Sequence, residues 1–337
     1  MCPEFLARMN NRMSNENQHW VPKFLVKNFA DADGRVFCLN IQTDEITKPP
    51  PKYAASSVGF NEFLIDGKTI SFEHRLEQIE TLAAPILKQI VNSRSVAWLT
   101  KKQRNRVGDF MAAQSFRTEA FYKGMELRLS RQRFGPIFAQ LWRSAFLASA
   151  NIVSRKWVVT TIDRDDVFYL GDHPVVLQDT ANPSSNKDLG LDIEGVEALL
   201  PLAPKCALYM PCAATSREII SGYEKALLMP ERVRMAVLSG TRVESHFSDW
   251  LHISQRLIRN SGPLYQALTT GVPLVATPEN VENLNYLQCA WAHRAIYSDR
   301  GGFVFAKRVF HDSPQYRNTV KVRLAMIESD GAIKGGP

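Results

Sequence analysis

The spacing of apolar positions changes along the chain, and that change sets the expected architecture. Between Ser71, placed as N-cap, and Asn92, the residues Leu76, Ile79, Ala83, Ile86, Leu87 and Ile90 recur every three or four positions. This is the stripe of one buried helix face, with Glu73, Glu77 and Glu80 along its flank. A second long helix is predicted to start after Thr100, with Val107, Phe110, Met111, Phe121, Met125 and Leu129 on one face. Gln114 and Thr118 interrupt that face, so each must meet a polar partner inside the protein. After the break at Gly135-Pro136, a third helix carries Phe138, Leu141, Trp142, Phe146 and Leu147. Ahead of all three, QHWVPKFLVKNF places Phe24, Leu25 and Phe29 on one side of a short helix led by Pro22. Short strands are predicted at Arg35–Asn40 and Glu62–Ile65.

From Lys156 the period shortens. KWVVTTI, VFYL and GDHPVVLQD read as an antiparallel hairpin continuing into a third strand, and PLAPKCALYMP adds another strand. Residues 243–260 and 278–297 return to helical spacing. Helices cluster first and strands afterwards, which predicts an α+β fold: a helix-rich first half packed on a mainly antiparallel sheet, with further helices in the second half. A chain of 337 residues sits near the size at which one core divides. The expected division is a flexible leader over 1–17, a helix-rich subdomain over 18–155 and an α+β subdomain over 156–337, the alternative being one continuous domain over 18–330.

Composition narrows the class. Hydrophobic residues make up 45% and charged residues 22%, as in a globular protein, and no apolar run is long enough to span a membrane. The opening residues lack the basic-then-apolar order of a secretory signal, and five widely spaced cysteines form no CxxC unit. The chain therefore reads as cytoplasmic, with reduced thiols. Phosphate-loop, dinucleotide, zincin and hydrolase-elbow motifs are missing, which disfavours those classes. The net charge is +7, and residues 101–133 hold nine basic and three acidic side chains, a local +6. On one continuous helix Arg106, Arg117 and Arg128, eleven residues apart, would form an axial row with Lys102 and Arg131 beside it. Such a row could neutralise nucleic-acid phosphates, or simply be a solvated face whose long stems cover apolar surface. His246, Asp249 and His252 could hold a metal edge-on, but they equally form the polar flank of an amphipathic helix.

The segment QHWVPKFLVKNF is the most specific in the chain. It resembles the opening motif, roughly QHxVPxxxLxxF, of the bacterial domain-of-unknown-function family 4238. Gln18, His19, Val21, Pro22 and Phe29 match it, with Leu25 one place ahead of the pattern's Leu. An acidic pair at Glu77 and Glu80, a Q-x-x-R-T unit at Gln114, Arg117 and Thr118, and a D-x-P unit at Asp172 and Pro174 extend the resemblance over most of the chain. In the last unit Gly171 and His173 stand where the family pattern has Ser and Asn. The resemblance implies a fold and no activity.

The residues themselves suggest chemistry. His19, Glu77, Gln114, Arg117 and Asp172 would bring together imidazole, carboxylate and guanidinium, a set suited to acid–base or phosphoryl-directed work. The expectation is a hydrolase acting on a phosphate-containing substrate such as nucleic acid. Arg117 would clamp the anion, His19 would act as acid or base, and Asp172 or Glu77 would orient it or hold a divalent metal. A defence or toxin role rests on analogy with other bacterial families alone. The competing expectation is a non-catalytic protein that binds nucleic acid or another protein, the same cluster serving as a structural staple.

Overall fold

The computed structural model describes residues 17–65, 68–128, 148–180, 189–191, 193–240 and 247–318. Strand β1 (Asn17–His19) pairs antiparallel with β4 (Ser56–Val58), setting Gln18 opposite Ser57 and His19 opposite Ser56. Helix α1 (Lys23–Lys27) follows, with Pro22 one residue ahead of it at the cap, its carbonyl accepting from the N–H groups of Leu25 and Val26. Strands β5 (Glu62–Ile65) and β6 (Lys68–Ser71) form a hairpin that leads into α2 (Glu73–Ser93). The predicted stripe from Leu76 to Ile90 is buried along α2. Ser71 belongs to β6 rather than to the helix cap, which Phe72 occupies.

Helix α3 (Lys101–Phe116) begins as expected at Thr100, where a capping box with Gln103 satisfies the first-turn N–H groups. It does not continue through the basic segment. Arg117 leaves helical geometry with ψ at 42°, and the Thr118 hydroxyl accepts from Phe121 N–H at 3.3 Å, opening a new helix, α4 (Glu119–Arg128). The break removes the axial row, which required an unbroken helix. The third predicted helix, Phe138 to Leu147, lies outside the described residues.

Two sheets organise the second half. The larger has the order β12-β7-β11-β10-β9 and contains β7 (Val158–Thr161), β9 (Val176–Asp179), β10 (Val196–Ala203), β11 (Cys206–Met210) and β12 (Leu274–Val275). Its pairs are antiparallel except β12 with β7. The smaller has the order β3-β2-β13-β8 and is wholly antiparallel. It joins β2 (Phe37–Asn40) and β3 (Ile46–Thr47) to β8 (Leu170–Gly171) and β13 (Ala295–Ser298).

The expected hairpin of KWVVTTI with VFYL therefore does not form: β7 takes partners from β11 and β12, β8 crosses to the other sheet, and β9 pairs with β10. The tight hairpin is β10–β11, whose turn falls within PLAPKCALYMP, a stretch in which the sequence suggested a single strand. Helix α5 (Ala213–Leu238) packs against α6 (Phe247–Thr270). Helix α7 (Pro278–Trp291) ends before AIYS becomes β13, so the helix expected over 278–297 is shorter by six residues. One large core joins the halves, with Leu25, Leu87 and Phe110 in the same cluster as Val159, Leu208 and Trp291. Among the described residues no helix is long and apolar enough to cross a membrane.

Candidate functional site

Four short segments distant in sequence meet in one buried polar junction: Gln18-His19-Trp20 at the end of β1, Gln114 to Glu119 across the α3–α4 break, Gly171-Asp172-His173 at the end of β8, and His293-Arg294 ahead of β13. The strand and helix breaks are what turn these side chains inward.

Gln18 is 1% exposed and bridges two neighbours, its Oε1 accepting from Asn61 N–H at 2.6 Å and its Nε2 donating to Glu62 at 3.0 Å. Asn61 in turn donates to Glu73 Oε2 at 2.6 Å and accepts from Tyr122 Oη at 3.3 Å. Gln114, the amide predicted to need a partner, donates to the Trp20 carbonyl at 2.6 Å. Its Oε1 accepts from Arg117 Nη2 at 3.1 Å. Arg117 is 2% exposed, and its Nη1 pairs with Glu80. Thr118, the second interrupting residue, shares a hydrogen bond of 2.8 Å with His173 Nδ1, whose ring lies against Trp291.

His19 is held below the ordinary histidine range, first by loss of water around the half-buried ring and further by the charges of Arg117 and Lys23. Glu80 and a hydrogen bond to the Pro51 carbonyl act the other way. Among the described residues His19 Nε2 is buried without a hydrogen-bond partner. Burial raises Glu73 above the usual carboxylate range, against the hydrogen bond from Asn61 and the charge of Arg117.

Asp172 behaves differently from expectation. It is fully buried, and its carboxylate accepts from the backbone N–H groups of His293 at 2.7 Å, Arg294 at 2.6 Å and Ala295 at 3.2 Å. Burial pushes its pKa up to about 6, outweighing these three donors. It orients a loop and not His19. Glu77 is exposed and lines an open groove with His74, Arg106 and Asp109. One helical turn on, Glu80 supplies the carboxylate expected of Glu77. Of the basic residues read as a nucleic-acid row, Lys102 is exposed, Arg106 lies at that groove, the side chain of Arg128 and all of Arg131 lie outside the described residues, and Arg117 is interior. Asp249 and His252 are exposed, and His246 lies outside the described residues. Among the described residues, no group of three or more His, Cys, Asp or Glu stands together to hold a metal.

Several residues of the junction carry no sequence signal taken up above. Glu119 is 7% exposed and pairs with both Arg294 and Lys123, the latter at 3.1 Å. Gln288 and Asn285, on the buried face of α7, hold the strand end: Gln288 Oε1 accepts from Gly171 N–H at 2.7 Å, and Asn285 Oδ1 from Tyr169 N–H at 2.7 Å. Both interrupt an apolar helix face, the same signal that marked Gln114.

The α+β fold and this junction define a protein whose N-terminal QHW segment is docked into a later helix break and strand end. The chain belongs to the family described as "Protein of unknown function (DUF4238)", whose model matches residues 17–142 and 139–302 and so takes in all four segments. No curated protein and no solved structure matches the chain.

Proposed function

We propose that the chain is a hydrolase acting on a phosphate-containing substrate, nucleic acid being the class that its basic charge fits, with His19 as general base. The observation that carries this reading is His19 Nε2. Among the described residues it is buried and unpartnered, on a ring whose neutral form is favoured at pH 7. Three further buried polar atoms lack partners among the described residues, on the segments that Gln114 clips together: Trp20 Nε1, Arg117 Nε and Glu119 Oε2. Buried polar atoms left unpaired in one place support a site that receives a polar ligand.

The test is cleavage of end-labelled single- and double-stranded DNA and RNA, with and without Mg²⁺ or Mn²⁺, by the wild type and His19→Gln. A positioned base contributes about 10²–10⁴ in rate, so His19→Gln should lose at least 100-fold while keeping its fold. No cleavage of any probe, or equal cleavage by the variant, refutes the assignment. One observation favours the binding reading instead: Arg117 is countered by Glu80 and Asp172 is sealed by backbone N–H groups, as in a staple. Under that reading the wild type binds oligonucleotide without cutting it, and His19→Ala loses about 1–3 kcal/mol of stability.

A further inference from the structure

The anion clamp expected of Arg117 needs donors that a ligand can reach. Arg117 has none to spare at the surface: Nη1 serves Glu80, Nη2 serves Gln114, and the side chain is 2% exposed. Arg294 has the opposite character. Its side chain is 53% exposed and, among the described residues, its Nη2 alone is engaged, by Glu119, while Nη1 and Nε make no hydrogen bond. Its guanidinium carbon stands 5.9 Å from the centre of the Trp20 ring, next in sequence to His19. Its backbone is also fixed, since Asp172 accepts N–H groups from residues 293, 294 and 295, and the Arg294 carbonyl accepts from Ile41 N–H at 2.9 Å. A long cationic side chain on a clamped backbone can take a phosphate bidentately through Nη2 and either unused nitrogen once the Glu119 carboxylate gives way. Lys123 approaches the same Glu119 oxygen, so two cations share this one carboxylate.

We infer that Arg294, mounted by Asp172 and held ready by Glu119, is the residue that binds the substrate's phosphate. The inference rests on the phosphate reading of the junction, and it assigns Glu119 as the carboxylate that Arg294 exchanges for the incoming anion. Asp172 is then a positioning residue.

The experiment is fluorescence anisotropy of a 5′-fluorescein single-stranded 20-mer with the full chain, repeated over a range of salt. Arg294→Ala is expected to weaken binding at least tenfold and to reduce the slope of log K against log salt by about one. Arg294→Lys should fall between the two, keeping the charge and losing the fork. Glu119→Gln should strengthen binding, because the competing carboxylate is gone; a merely structural role for Glu119 gives the opposite sign. Arg308→Ala, at an exposed cation on α8 (Val304–Asp312) paired with Glu282 of α7, is the control and should stay near wild type. Arg294→Ala binding with wild-type affinity and slope overturns the inference while leaving the His19 assignment to its own assay. Failure of the wild type to bind the 20-mer or its RNA equivalent at low salt removes both.

Discussion

Removing one carboxylate from α2 tests whether the junction is assembled as described. Arg117 is 2% exposed and its only ion-pair partner among the described residues is Glu80, whose side chain is 23% exposed. In Glu80→Gln the guanidinium loses its counter-charge and cannot turn to water. Stripping a partner from a buried pair costs about 3–5 kcal/mol. The glutamine still offers Nη1 an acceptor, and Glu73 continues to oppose the charge, so the expected loss is about 2–4 kcal/mol. For a chain of this size that corresponds to a drop in Tm of roughly 3–6 °C. Glu77→Gln, one turn earlier and exposed, is the matched control and should stay within about 0.5 kcal/mol. Urea denaturation followed by circular dichroism at pH 7 reads both, and repetition in 0.5 M NaCl separates them from surface electrostatics, since salt screens exposed charges and barely touches a buried pair. If Glu80→Gln falls with Glu77→Gln, or if its loss vanishes in salt, the buried pair does not exist as described.

Four further outcomes follow from the structure. His19 has a folded-state pKa below its unfolded value, so its contribution to stability is complete above about pH 6.5 and declines as pH falls through that value. His19→Gln should remove that acid-side loss from a stability–pH profile, and any cleavage activity should fall only on the acid side of pH 6.5. Asp172 has the opposite sign: its folded pKa of about 6 lies above the unfolded one, so its contribution is largest in acid and is lost as pH rises through 6. Asp172→Asn should flatten that part of the curve, and an unchanged slope between pH 4 and pH 7 would refute the account. A Cβ on Gly171 would lie 2.9 Å from the Gln288 carbonyl oxygen and 3.1 Å from its Oε1, so Gly171→Ala should cost about 1–3 kcal/mol in chemical denaturation. Gly222→Ala, inside α5 with open space around it, should instead gain about 0.5–1 kcal/mol.

Much of this arrangement was legible from period and from its exceptions. The α2 stripe from Leu76 to Ile90 is buried as its spacing requires, because a single helix face has one way to leave water. Gln114 and Thr118 were conspicuous as polar residues on an apolar face, and each has the interior partner that desolvation demands. Partner identity was not legible, since periodicity says that β7, β8 and β9 are extended but not which strand each hydrogen-bonds. The α3–α4 break carries neither Gly nor Pro: Thr118 caps the new helix, and a Thr inside a helical pattern looks the same as a Thr that starts one. Arg294 was hidden for a related reason. It sits between a helix end and a strand with no repeat to mark it, and its importance comes from Asp172, more than a hundred residues earlier.

The antiparallel pairing of β2 with β13 has a consequence for how the protein is made. Gln18 leaves the ribosome about 276 residues before Arg294, and at roughly 5–20 residues per second that is an interval of about 14–55 s. Until residues 293–298 are made β2 lacks its inner neighbour, and Asp172, once it has emerged, has none of its three backbone donors. A nascent or truncated chain ending before residue 293 thus presents the bare edge of β2 and a carboxylate without the N–H groups that meet it in the finished molecule.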